Sequence, residues 1–511
     1  MSKTRFRSEY DFRVFKTTIV LITLSIMMFV FTTFAGAAKP DTIISRHINA
    51  VGGRGKVKSV RNFTIEGTAV FYGIPSTVTF RGIYQDYFEM KIKNDIFEVV
   101  RFRSPKGEFI RTADGVVREL SGFDSEGLYA LSAIFNYAYI KDMSLPLVPE
   151  SEVDPKVFTM DTGANFGTVI TLDPETHLII NIALETGGGA QKILFEDYAS
   201  MSGVNFPEKL VFVGETTMIL NVESLRINPG LKPEDFAPPA ENMETFLFSN
   251  SADVEFTLNP IKDQGNQYIA LNANLGGAKK KFILDTDWGG LPVVNKGAGK
   301  LPGEAFKYRT DFASALLYIS RPLDLTFGVL KTKLKIKTPV FVSDEIEVFF
   351  GEKKAPAEGL LGYSLMAKNP VGLNLKENKL TIYNRENFTG PVGAKKVRMI
   401  IDGGRPVVSG VVDGVSGAIV IDTGFGGFGY IFQKSGDKKR FEGESGGICS
   451  VKSLNFGGMV FKDVGLKLSP ADTSHPDSII GGLGLSFLEK FNVIFDYEGG
   501  VLYLLPIEEE K

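Results

Sequence analysis

Two stretches of this chain repeat each other without gaps. Gly359-Leu-Leu-Gly-Tyr-Ser-Leu-Met366 aligns with Gly481-Gly-Leu-Gly-Leu-Ser-Phe-Leu488. The match continues through Leu373 and Phe495, Leu375 and Tyr497, Leu380 and Leu502, and Ile382 and Leu504, each pair 122 positions apart. Upstream, Phe282-Ile-Leu-Asp-Thr-Asp-Trp-Gly-Gly290 aligns with Ile419-Val-Ile-Asp-Thr-Gly-Phe-Gly-Gly427 at an offset of 137, so the first copy holds 15 inserted residues. Copies of roughly 120–140 residues exceed the repeats of solenoids and read as two related lobes. Each lobe has one order of parts. An apolar strand ends in Asp-Thr, a turn and β segments follow, a Leu-Gly pair opens a short helix, and a hairpin closes the lobe.

Composition narrows the function classes. The chain has 511 residues, which at roughly 100–200 residues per domain suggests about three domains. A 43% hydrophobic content supports a folded core, and a net charge of −3 supplies no basic field for nucleic acid. The 55 glycines and 41 phenylalanines favour strands and turns. A single cysteine, Cys449, rules out an intramolecular disulfide and a cysteine-based zinc site. The three histidines, His47, His177 and His475, are far apart and carry no nucleophile-elbow motif. No metal or cofactor is expected.

At the N-terminus, Lys3, Arg5, Arg7, Arg13 and Lys16 precede an apolar run from Ile19 to Phe34 and then Ala35-Gly36-Ala37-Ala38. The run falls short of the roughly 20 residues of a comfortable membrane span. It reads as an export signal over residues 1–38, with an uncleaved anchor as the alternative. The expected location is the periplasm or cell envelope, or outside the cell.

Ile43, Ile44, Ile48 and Val51 recur at helical spacing, and Gly52-Gly53 stops the helix. Alternation then predicts a hairpin from Phe63 to Tyr84 around Gly73-Ile-Pro75, and another from Val169 to Ile180 around Asp173-Pro174-Glu175-Thr176. Gly127 to Asn136 is expected to be a short helix. The region ends near Pro238-Pro239, and a polar stretch follows. Residues 41–239 resemble the lipoprotein-carrier (LolA-like) family in the helix ending Asn49-Ala50-Val51-Gly52-Gly53, in the hairpin Leu172-Asp-Pro-Glu-Thr176, and in Phe195-Glu-Asp-Tyr198 with Gly203-Val-Asn-Phe-Pro207 and Pro233-Glu-Asp-Phe-Ala-Pro238. The resemblance implies a curved sheet or half-barrel wrapped on helices, with an apolar concavity for lipid or acyl chains. A β-rich interaction domain without a ligand is the plainer reading.

An apolar strand running into Asp places a carboxylate at a buried turn. Two such turns, supplied by paired lobes, bring Asp285 and Asp422 together, where like charges cannot both ionise. The charged carboxyl draws a proton from water and the protonated one polarises a carbonyl. The half from about 253 onward resembles aspartic proteases of the retropepsin-like and pepsin-like kind. The resemblance rests on Asp422-Thr423-Gly424, the glycines of Gly443-Glu-Ser-Gly-Gly447 where a flap hairpin falls, and Ile479-Ile-Gly-Gly-Leu-Gly484. It implies Asp285 and Asp422 as the catalytic pair, and Thr286, Thr423, Gly424, Leu361, Gly362, Leu483 and Gly484 as its support. Gly443, Ser445, Gly446 and Gly447 would belong to a flap.

The departures fall at the pair itself. Asp287 stands where glycine is expected, which adds a carboxylate and is expected to strain the turn. Trp288-Gly289 and Phe425-Gly426 replace the usual hydroxyl residue and alanine. The first lobe's flap region, Arg309 to Ser320, has no glycine. Asp161-Thr162-Gly163-Ala164 also looks catalytic, but no Leu-Gly element follows at the right distance, and it reads as a hairpin turn, as do Asp402-Gly403-Gly404 and Asp413-Gly414. Cys449 reads as a structural thiol.

The expected fold is therefore mainly β: a signal over 1–38, a carrier-like curved sheet over 39–239, a linker over 240–252, and two acid-protease-like β-barrel lobes over 253–390 and 391–511. The expected function is an exported aspartic endopeptidase acting on a peptide or protein, with possible peripheral membrane association. The alternative is a non-catalytic envelope protein that binds peptide, lipid or lipoprotein. A pairing of two second lobes across a dimer is a further arrangement.

Overall fold

The computed structural model describes residues 40–507 apart from 85, 142–146, 150–156, 161–167, 187–188, 242–252, 264–265, 296–301, 310–313, 329–333, 351–353, 436–437, 440, 442–445 and 471–478. Residues 1–38, read from the sequence as an export signal, and Asp161 to Ala164, most of the polar stretch after Ala240, His475, Gly443 and Ser445 lie outside the described residues. No described helix is long and apolar enough to cross a membrane.

The chain is mainly β, as the alternation predicts. Its N-terminal part forms one thirteen-stranded antiparallel sheet in which the strands Asn62–Phe71 and Thr217–Ile227 lie side by side at the centre. The opening helix is Pro40–Val51, and Gly52 and Gly53 end it in the left-handed region (φ 142° and 86°). The first hairpin turns at Tyr72-Gly73, two residues earlier than the proline suggested. Pro75 sits inside the strand Ile74–Ile83, opposite Val70. The helix expected over 127–136 is longer, Gly122–Phe135, because its apolar side is continuous: Leu128, Leu131, Ile134 and Phe135 are all buried.

That helix fills the sheet's concave side. Phe135 packs against Phe80, Phe88 and Phe206, and a cavity beside it, lined by His47, Phe135, Tyr139 and Tyr198, measures about 20 Å³. That is room for about one water, not for an acyl chain. A larger cavity of about 840 Å³ opens elsewhere on the same sheet, between Thr68, Val70, Tyr72 and Ile219 and the first copy's Phe306 and Arg309. His47 is fully buried beside the smaller cavity, bonded to the His177 carbonyl (2.7 Å) and the Tyr139 hydroxyl (2.9 Å). Burial lowers its pKa to about 4, so it folds as the neutral ring.

The C-terminal half obeys the repeat. In the first copy the strand Ala278–Leu284 runs parallel to Gly359–Leu361, which is antiparallel to Val293–Asn295. In the second copy Val415–Ile421 runs parallel to Ile479–Leu483, which is antiparallel to Gly429–Phe432. Both Asp turns therefore leave the end of a strand held in the middle of its sheet. The inserted residues lie mostly before the next parallel strand: Val293 pairs with Phe341, but Tyr430 pairs with Lys467.

The two closing hairpins join the copies. Val371–Asn374 pairs with Phe491–Asp496, and the outer strands Val254–Thr257 and Lys395–Arg398 complete one six-stranded sheet. Its apolar face carries Leu373, Leu380, Val493, Phe495, Leu502 and Leu504, all 0–1% exposed, into a core shared by both copies. Deleting most of a fully buried phenylalanine costs about 3–5 kcal/mol. Phe495→Ala should therefore lower stability by that order in chemical denaturation, with both copies lost together; a first copy that unfolds unchanged would contradict the shared core.

Candidate active site

Each Asp turn is anchored from below by its Leu-Gly element. The Asp285 N–H donates to the Leu361 carbonyl and the Asp422 N–H to the Leu483 carbonyl, both at 2.9 Å. The short helices beyond are tied to the same turns, with the Tyr363 N–H on the Trp288 carbonyl (3.0 Å) and the Leu485 N–H on the Phe425 carbonyl (2.8 Å). A side chain at Gly362 or Gly484 would overlap the turn backbone. The Leu-Gly pairs are therefore floor pieces under the carboxylates, and this is the physical reason the repeat keeps them.

The two turns grip each other across the seam. The Thr286 N–H donates to the Thr423 hydroxyl and the Thr423 N–H to the Thr286 hydroxyl, both at 3.0 Å. Each hydroxyl then donates across the seam to the strand below the other turn: Thr286 to the Ile421 carbonyl (2.5 Å) and Thr423 to the Leu284 carbonyl (2.9 Å). Both threonines are 0% exposed. Every polar atom in the exchange has a partner, which in a buried site is what makes the arrangement single-valued.

The grip sets the carboxyls against a common point. The Gly424 N–H (2.7 Å) and the Phe425 N–H (3.1 Å) donate to Asp422 Oδ1, and the Asp287 N–H donates to Asp285 Oδ1 (2.9 Å). A Cβ on Gly424 would stand 2.5–2.7 Å from the Asp285 carboxyl. Gly424 is thus held by one aspartate and touched by the other, and only glycine leaves room for both. Burial first, then the charges of Asp285 and Asp287, raises the Asp422 pKa well above the ordinary carboxylate range. Asp422 therefore keeps its proton to higher pH than a lone aspartate would.

Asp287 does not strain its turn as the sequence suggested: its φ lies outside the left-handed region, so the position does not demand glycine. Its side chain meets Arg405, whose Nε lies 3.3 Å from Asp287 Oδ1 and donates to the Asp287 carbonyl at 3.1 Å. The residues after the triplets are structural. The Trp288 indole donates to the Leu291 carbonyl (2.7 Å) and packs on Tyr308 and Phe349, and Phe425 packs on Tyr430.

Gly446 and Gly447 open the strand Ile448–Phe456, exchanging hydrogen bonds with Leu468 (2.7 and 2.8 Å). In the first copy, the expected flap region is the hairpin of Phe306–Arg309 and Ser314–Ile319. Its outer strand packs on the N-terminal sheet: the Arg309 N–H reaches the Glu215 carbonyl (2.8 Å), Tyr308 bridges to Thr216, and Phe306 packs on Tyr72. Cys449 is half-buried in a strand, paired with Leu466.

Sequence reasoning missed a charge cluster at Asp402, which it took for a plain turn residue. The Gly403 N–H donates to Asp124 (3.2 Å), and Asp124 pairs with Arg118 (2.8 Å). Burial opposes ionisation of Asp124, but Arg118 and Arg101 outweigh it and its pKa is lowered. Burial and the Asp124 charge push Asp402 up to about 8. Asp402 lies 278 positions from Asp124, so no local pattern announces the cluster. Among the described residues no group of three potential ligands could hold a metal.

Two outcomes follow from this geometry. Thr423→Val removes the acceptor of a buried N–H and should cost about 1–3 kcal/mol in urea titration, with a matching loss for Thr286→Val. Asp402 binds its proton more tightly folded than unfolded, so its contribution to stability is full near pH 4 and falls as pH rises toward 8. Asp402→Asn should flatten that fall in denaturation midpoints; an unchanged slope would contradict the assignment.

No family model matches the chain, and no curated protein matches it. Among solved structures it is similar to an aspartic proteinase from Irpex lacteus, at 13% identity over 50% of this chain and 98% of that chain, with a TM-score of 0.32. It is similar to basic 7S globulin from soybean at 12% identity over 50% and 95%, with a TM-score of 0.35. It is also similar to a DUF1329 family protein from Desulfovibrio piger at 13% identity over 39% and 96%, with a TM-score of 0.26. Likenesses this distant carry no activity to this chain.

Proposed function

We propose that the C-terminal half is an aspartic-type endopeptidase of an exported protein, with Asp285 and Asp422 as its catalytic pair. The observation that carries the reading is the reciprocal exchange between Thr286 and Thr423, which sets two carboxyls against one glycine. With one proton between them, the ionised carboxylate takes a proton from a water as that water attacks a peptide carbonyl. The protonated partner donates to the carbonyl oxygen, and the tetrahedral intermediate then collapses with transfer of a proton to the leaving amine. No covalent intermediate on the protein is needed. The export reading rests on the basic and apolar leader, and a cell fractionation of the full chain tests it.

A second reading, peptide binding without cleavage, is favoured by the residues after the triplets. Trp288 and Phe425 offer no hydroxyl to the carboxyls, and Asp287 brings a third acid to the turn. Digestion of an unstructured protein between about pH 3 and pH 8 separates the readings. Cleavage by the wild type that falls at least about a hundredfold in Asp422→Asn supports the peptidase. Cleavage that persists in the variant overturns the assigned pair, and binding of the same substrate by both without cleavage supports the second reading.

A further inference from the structure

Arg405 is 8% exposed, and three parts of the chain meet on it. It follows the tight turn Asp402-Gly403-Gly404 at the start of the strand Arg405–Val412, in the second copy. Its Nε faces Asp287 of the first copy, at the carbonyl (3.1 Å) and the carboxylate (3.3 Å). Its Nη2 lies 3.4 Å from Glu215 Oε1, in the connection between two strands of the N-terminal sheet. The other oxygen of Glu215 accepts from the Tyr308 hydroxyl at 2.8 Å. A guanidinium this buried is stable only with its partners in place, and a carboxylate beside an acid pair raises that pair's proton affinity unless a cation offsets it.

We infer that Arg405, fixed by Glu215 of the N-terminal sheet, is a positioning residue that neutralises Asp287 and thereby sets the proton affinity of the Asp285–Asp422 pair. The inference rests on the peptidase reading for its consequence, though not for its test. It assigns the N-terminal sheet a part in the site itself: the sheet holds the cation that makes the irregular first triplet tolerable. The groups bearing on Asp287 include Arg405, Asp285, Asp422 and Tyr497. Those bearing on Arg405 include Asp287, Glu215, Tyr308 and, through its charge, Asp402.

The signs are fixed by charge. Arg405→Gln leaves Asp287 uncompensated and should raise the pair's apparent pKa values by roughly one unit. Asp287→Gly removes a negative charge beside the pair and should lower them by a similar amount. The double variant removes both charges and should return near the wild type. Arg405→Lys keeps the charge and should stay near the wild type, and Glu215→Gln, which removes a more distant negative charge, should shift in the direction of Asp287→Gly by less.

The test is a carbon-13 NMR titration of the full chain labelled at aspartate carboxyls, with Asp422→Asn to assign the pair, run beside the pH profile of cleavage. Circular dichroism of each variant confirms folding; should Arg405→Gln not fold, the Asp287→Gly and double variants carry the test. Opposite shifts in the two single variants that cancel in the double support the inference. Shifts of one sign, or none, overturn it. The carboxyl titration reads the same whether or not peptide is cleaved, so a wild type without activity refutes the peptidase reading alone.

Discussion

Two buried threonines decide what this molecule can be. Thr286 and Thr423 each give an N–H to the other's hydroxyl and pass their own proton to the strand beneath the opposite turn. A neutral hydrogen bond contributes only about 1 kcal/mol net, but leaving such a group buried and unpaired costs up to about 3 kcal/mol. The exchange is therefore strongly all-or-none. It also dictates where the next atom in each chain goes. The residue before each threonine is an aspartate, and once the threonines cross, their carboxyls have to converge on Gly424. The shared six-stranded sheet and its apolar core fix the distance between the copies on one side of this seam, and the grip fixes it on the other.

Burial and like charge then act in the same direction on Asp422. A surface aspartate pair would be fully ionised at neutral pH and would repel. Here desolvation and the neighbouring acids hold the Asp422 proton to higher pH than on a lone aspartate. The backbone donors at Gly424, Phe425 and Asp287 partly offset this by stabilising one oxygen of each carboxyl. The energetic tension is local, and the Leu-Gly floor and the Thr exchange hold it in place.

Much of this could be read from the chain. The repeat shows the two Asp turns, the Leu-Gly pairs and the closing hairpins because each has a local pattern: an apolar strand, a small residue where backbones touch, a period of two. The first helix and its Gly52-Gly53 stop were legible for the same reason. What could not be read depends on contacts between distant positions. Arg405 looks like the first residue after a turn, and its partner Asp287 lies 118 positions earlier. Asp402 looks like the turn itself, yet it is buried against Asp124. The helix Gly122–Phe135 was foreseen only in part, since side-chain volume, not alternation, decides how it packs on the sheet. The one signal available was Asp287: a third acid in such a turn calls for a buried cation somewhere in the fold.

The account stands on the separation of two carboxyl groups, and a high-resolution crystal structure measures it directly. The carboxyls of Asp285 and Asp422 should approach to about 3 Å, or to about 5 Å with one water bound to both. A separation beyond the reach of one bridging water, with the threonine exchange intact, would contradict the shared-proton site and leave only a binding role for the seam.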